Sequence, residues 1–126
     1  KAGVYFPHTA VITRRAYLKT NRDTALNFFR GYSEGLQRFI QDKNTAKKVI
    51  QKYTRDTAED IIEATYQYAV DYVVRPPYPN REGIVETLKL SSNPEAKKAN
   101  PDQFLDSSIV KTLEDEGFLR QIGMEK

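Results

Sequence analysis

The stretch RDTALNFFRGYSEGLQRFIQ, residues 22–41, carries apolar side chains at Leu26, Phe29, Tyr32, Leu36, Phe39 and Ile40, mostly in steps of three and four. That period places them on one face of a long helix. Asn21 stands where an N-cap belongs, and Asp23 falls in the first turn, where the helix dipole favours an anion. Gly31 and Gly35 interrupt the helix, each at a cost of up to about 1 kcal/mol relative to alanine. Four apart, they share a face, and the simplest reason to keep them is close approach of another backbone.

Downstream the same period returns between clear breaks. Asn44 is expected to cap a second helix that buries Ala46, Val49, Ile50 and Tyr53. Asp56 and Glu59 form an Asp-x-x-Glu helix start. The helix after it carries Ile61, Ile62, Thr65, Tyr68, Ala69, Tyr72 and Val73 on its expected inner face. It has to stop near Arg75, because Pro76 and Pro77 cannot continue it. A helix over residues 82–90, a polar stretch over 91–94 and a turn at Asn100-Pro101 follow. Asp106, Ser107 or Ser108 can cap a last helix with Ile109, Val110 and Leu113 inward. Gly117 is its expected C′ residue, with Phe118 and Leu119 returning to the core.

Upstream, residues 4–13 read as the one strand, because Thr9-Ala10-Val11-Ile12-Thr13 is rich in β-branched residues and Pro7 lies near its start. A short helical turn is expected over 14–20. One strand with about five helices gives a mainly α chain. A lone strand has two unpaired edges, so it is expected to pair with a second copy or with strands of sequence outside this chain. The absence of an initiator methionine and of an apolar leader reads the same way, as a segment of a longer protein.

Composition narrows the classes. A chain of 126 residues suits one core, and 39% hydrophobic with 29% charged residues is the balance of a soluble globular domain. Eight tyrosines, six phenylalanines and no tryptophan place polar-tipped rings at core edges or interfaces. The net charge is +3, but the densest basic groupings are only the pairs Arg14-Arg15, Lys47-Lys48 and Lys97-Lys98. Without a basic stripe, nucleic acid is not an expected partner. The lack of cysteine excludes disulfides and thiolate chemistry, and no apolar run reaches the roughly 20 residues of a membrane span.

No phosphate loop, nucleophile elbow or zinc helix is present. His8, the one histidine, is better read as a hydrogen-bonded structural residue than as a ligand. Glu114-Asp115-Glu116 suits a solvated surface better than a cation site. Glu59 and Asp60 suit a first helical turn better than acid–base work. Tyr68 and Tyr72 are expected in the core or at its edge and Tyr66 outside it, rather than around an aromatic ligand. No cofactor or metal is expected, and no enzymatic activity.

The order of these features resembles the C-terminal section of solute-binding proteins that serve ABC importers of the nitrate/sulfonate/taurine type, a superfamily that includes thiamine-pyrimidine-synthase-like relatives. The resemblance runs from Phe6-Pro7-His8-Thr9 and Arg14-Arg15-Ala16-Tyr17-Leu18, through Phe28-Phe29-Arg30-Gly31-Tyr32-Ser33-Glu34-Gly35 and Arg75-Pro76-Pro77-Tyr78-Pro79. It closes on Phe104-Leu105-Asp106 and Leu113-Glu114-Asp115-Glu116-Gly117-Phe118. It implies a two-lobe α/β type II periplasmic-binding fold, in which residues 1–13 hold the returning crossover strand and 14–126 the helical part. It implies a periplasmic or extracellular protein that delivers a small solute to an ABC permease, with most ligand contacts made by sequence not contained here. Within this chain, Tyr5, Phe6, His8 and Thr9 lie nearest the implied hinge and are the candidate ligand residues. A pyrimidine-precursor synthase of the same fold and a self-contained helical interaction module are the alternatives.

Overall fold

The computed structural model describes residues 9–124, and every element among them is helical. In chain order these are α1 (Arg15–Thr20), α2 (Arg22–Gln41), α3 (Lys43–Thr54), α4 (Glu59–Tyr72), α5 (Arg81–Leu90), α6 (Pro94–Lys98), a 3₁₀ turn (Pro101–Phe104), α7 (Ser108–Asp115) and α8 (Phe118–Gln121). The mainly α expectation holds. The strand does not form where it can be followed: residues 9–13 run as irregular, exposed chain, with Ile12 87% accessible. A strand needs an edge to pair with, and no described residue offers one. Residues 4–8 lie outside the described residues.

Two apolar clusters are strung along α2. The first gathers Leu26 of α2 with Ile109, Val110 and Leu113 of α7, Leu119 of α8 and Met124, flanked by Phe29, Leu36, Tyr78 and Phe118. Leu113 has no accessible surface at all. The expected inward positions of α7 are therefore correct. Gly117, at φ 75°, is its C′ residue, a left-handed conformation that costs glycine least. A second left-handed glycine, Gly123 at φ 74°, ends α8. The Met124 N–H reaches Leu119 O at 2.8 Å and the Gly123 N–H reaches Arg120 O at 3.0 Å, the paired bonds of a Schellman cap, with Met124 packed in Leu119's cluster.

The expected stripe of α2 largely holds, with Leu26, Phe29, Leu36 and Phe39 in or against the two clusters, and Tyr32 departs from it. Leu26, Ser33 and Gln37 are buried, whereas Phe28 and Tyr32 are exposed and stack on each other. Gly31 and Gly35 also face open space, since a Cβ built on either meets nothing within 4 Å. Among the described residues, no other backbone approaches them closely. Asn21 precedes α2 but does not cap it; its amide donates to Tyr17 O at 3.1 Å and Thr20 Oγ1 at 2.9 Å, closing α1 instead.

The second cluster is the α3–α4 hairpin. Ala46 and Ile50 meet Ile62 and Tyr66, with Phe39 and Val70 at the margin. Asp42, not Asn44, caps α3, accepting from Thr45 N at 3.0 Å and Thr45 Oγ1 at 2.6 Å. Val49 and Tyr53, expected inside, are exposed. In α4 the buried row is Ile62, Tyr66 and Val70, so Tyr66 is inside and Tyr68 and Tyr72 are outside, the reverse of expectation. The reason is polar. The Tyr66 hydroxyl donates to Ile40 O at 2.9 Å. Ile40 lies in the last turn of α2, where carbonyls lack helical donors. Only the Tyr66 row brings a hydroxyl to it.

The stretch 91–104, expected to be a turn region, holds α6 and the 3₁₀ turn. Asn93 and Asn100 cap them by accepting from Glu95 N and Asp102 N, each followed by proline at the first helical position. Asn80 caps α5 in the same way through Gly83 N at 2.8 Å. These three short elements bury no large apolar side chain. Polar contacts hold them: Arg81 pairs with Asp102 at 2.7 Å, and Arg15 donates to Gln103 O.

Candidate functional site

Of the four candidate ligand residues, Tyr5, Phe6 and His8 lie outside the described residues. Thr9 is exposed on irregular chain. No site assembles around it among the described residues.

The structure instead brings together segments far apart in sequence, at the edge of the first cluster. Tyr78, held between Pro77 and Pro79, donates its hydroxyl to a Glu114 carboxylate oxygen at 2.5 Å. Arg30, one turn along α2 from Leu26, pairs with Glu116 at 2.7 Å and also donates to Asn27 at 2.9 Å. Phe29, Tyr78 and Phe118 pack beneath these contacts. Burial, then the hydrogen bond and charge of Glu114, push the Tyr78 phenol up to about 12, so it stays protonated and acts as a fixed donor. A carboxylate already engaged by a phenol and an apolar underside make this a clamp between segments rather than a reactive centre.

The remaining acids of that run are also engaged. Asp115 accepts from Lys111 at 2.9 Å, one turn away. Among the described residues, no group of His, Cys, Asp and Glu is arranged to hold a metal ion. The run is a paired surface.

Glu59 and Asp60 form no carboxylate pair. Glu59 takes Lys47, and Glu63 takes Lys43 at 2.5 Å and Lys47 at 3.1 Å, stitching the polar side of the α3–α4 hairpin. Lys43 and then Lys47 hold the Glu63 carboxyl below its usual range, while Glu59 and then Glu63 raise the Lys47 ammonium. These shifts belong to half-buried groups on the polar side of the hairpin and describe charge pairing.

Near the start of α7, Arg22 donates to Ser108 Oγ at 3.2 Å, Ser108 O at 3.3 Å and Thr112 Oγ1 at 3.0 Å. Asp106 accepts from Ser108 N at 2.9 Å. Hydrogen bonds from Ser108, aided by Arg15 and Arg22, hold its carboxyl below the usual range. The helix start thus carries its own anion. Sequence reasoning foresaw Asp106 as a possible cap, but it missed Arg22, whose contacts lie 86 and 90 residues away along the chain.

No helix among the described residues is long and apolar enough to cross a membrane. Compared with known proteins, the chain is matched by no family model, no curated protein and no solved structure.

Proposed function

We propose that this chain is the helical C-terminal part of a solute-binding protein of an ABC importer, of the nitrate/sulfonate/taurine type, and that it supports a ligand cleft without performing chemistry. The observation that carries the reading is the meeting of Phe29-Arg30, Tyr78 and Glu114–Phe118. Three of the segments on which the resemblance rests, separated by dozens of residues, are joined by the Tyr78–Glu114 and Arg30–Glu116 contacts over shared apolar packing. The convergence of these segments on one place supports the reading.

The exposed apolar residues support a role within a larger assembly. Ile12, Phe28, Tyr53, Leu90 and Phe104 all expose more than half of their surface. In the proposed protein such faces meet the remainder of a two-lobe α/β fold, and the irregular segment at 9–13 gains its strand partners there. The solute is chosen by residues of that remainder.

Calorimetric titration of the complete gene product with nitrate, an alkanesulfonate and taurine tests the reading. Saturable binding of one of them, with no product formed, is the expected result. Turnover of a pyrimidine precursor would replace it with the enzyme alternative. A chain that folds alone as a monomer and binds none of these solutes in its complete form would leave the interaction-module alternative.

A further inference from the structure

Helix α4 carries Glu59, Asp60, Glu63 and Asp71 and no basic residue, in a chain whose net charge is positive. Glu59 and Glu63 are neutralised inside the hairpin by Lys43 and Lys47. Asp60 and Asp71 are exposed and make no ion pair among the described residues. Eleven residues apart, they sit about 16 Å from each other on one side of the helix. Beside them runs an uncharged row, Ile61, Thr65, Tyr68 and Tyr72, at helical spacing. Ile61 is 49% exposed and Tyr72 59%, and the Tyr68 and Tyr72 rings lie tilted against each other with centroids 4.7 Å apart. Ala64 and Thr65 are small, so the surface dips between Ile61 and the ring pair.

Asp71 accepts from Gln67 at 2.8 Å and Asp60 lies in the first turn, but neither carboxylate meets a cation among the described residues. An apolar row with a central dip, flanked at both ends by carboxylates without a cation, is complementary to one kind of occupant. We infer that the outer face of α4 docks a basic amphipathic helix of a partner protein, with an apolar side chain over Ala64–Thr65 and cations opposite Asp60 and Asp71. A second copy of α4 fits poorly. Packed antiparallel about the centre of the row, it would set Asp60 against the other copy's Asp71, and packed parallel it would set each aspartate against itself. This surface is independent of the solute-binding reading, since it depends on neither a cleft nor a ligand.

The probe is a synthetic helical peptide of about 18 residues, with a leucine row and two lysines spaced to meet Asp60 and Asp71. One control replaces both lysines with glutamate, and another scrambles the order. Fluorescence anisotropy with the full chain is expected to show saturable binding of the lysine peptide, at least about tenfold tighter than either control. Asp71→Lys places a cation in the last turn of α4, where the dipole accepts it, so the fold should survive by circular dichroism. That variant is expected to lose the lysine peptide and gain the glutamate peptide. Ala64→Phe, which fills the dip, should weaken the lysine peptide without reversing the charge preference. Equal binding of the scrambled peptide, or an unchanged preference in Asp71→Lys, would overturn the proposal. So would self-association of the chain that Asp71→Lys abolishes, because the occupant would then be a second copy.

Discussion

Gln37 donates its side-chain N–H to the carbonyl oxygen of Gly123 at 2.9 Å, tying the middle of α2 to the cap of α8. A Cβ added at Gly123 would stand 3.4 Å from that same Gln37 nitrogen, on a backbone at φ 74°. Both the strain and the contact oppose a side chain there. Gly123→Ala is expected to destabilise the chain by about 1–2 kcal/mol, read as a lower urea midpoint at unchanged slope.

Gly31 and Gly35 should behave in the opposite way. Each is helical, exposed and free of neighbours around a built Cβ. Alanine at either position should stabilise α2 by up to about 1 kcal/mol, and the pair should be roughly additive. A rise of several degrees in the thermal midpoint for the double variant checks this. A fall would mean that the glycines serve a close contact after all.

Ser33 has no accessible surface, and its hydroxyl finds no hydrogen-bond partner among the described residues. Removing an unmet buried hydroxyl relieves a desolvation cost on the order of 1 kcal/mol. Ser33→Ala is therefore expected to be neutral or stabilising in chemical denaturation, whereas most buried positions lose stability on substitution.

The rotated register of α4 can be tested with matched changes. Tyr66→Phe removes the donor to Ile40 O and should cost about 1 kcal/mol. Tyr72→Phe removes a hydroxyl at an exposed position and should change denaturation by less than about 0.5 kcal/mol. Equal effects would contradict the inward placement of Tyr66.

Tyr78 makes an alkaline prediction. Its folded phenol is raised to about 12 from an ordinary 10.0. Between those values the unfolded chain has released this proton while the folded chain still holds it. The unfolded state therefore binds fewer protons, and stability falls as pH rises through that window. The contribution is complete below about pH 10. Tyr78→Phe should flatten the alkaline loss of stability, and the tyrosinate absorbance of the folded chain should show one late-titrating ring that the variant lacks.

How far the sequence foretold this arrangement depends on the kind of signal. Helix positions carried strong punctuation, so Pro76 after α4, Gly117 after α7 and the start of α2 at Arg22 are where the spacing put them. The inward side of α7 was also legible, because its apolar residues fall on a single face. Helix α4 has apolar residues on two faces, and periodicity alone does not say which one is buried. In α4 the choice fell to one hydroxyl, that of Tyr66, and one helix-end carbonyl, at Ile40. In α2 the stripe was legible at Leu26, Phe29, Leu36 and Phe39, but not the burial of Ser33 and Gln37, polar residues that a hydrophobic pattern discounts. Asp42 displaced Asn44 as a cap because either residue type serves, and only the corner geometry chooses between them. Sequence reasoning named Thr9 but gave no account of Tyr78 with Glu114, because a clamp across 36 residues leaves no local pattern.

The two apolar clusters share no residue among those described, and α2 contributes to both, through Leu26 at one end and Phe39 at the other. Each cluster is small, so each has its own threshold for opening. Amides of α3 and α4 should exchange with solvent through excursions that leave α7 and α8 closed, while only complete unfolding exposes Leu113. Anything that grips the α3–α4 hairpin would then quiet the less protected half of the molecule first. Its effect would appear as slowed exchange in that hairpin before any change in the overall melting temperature.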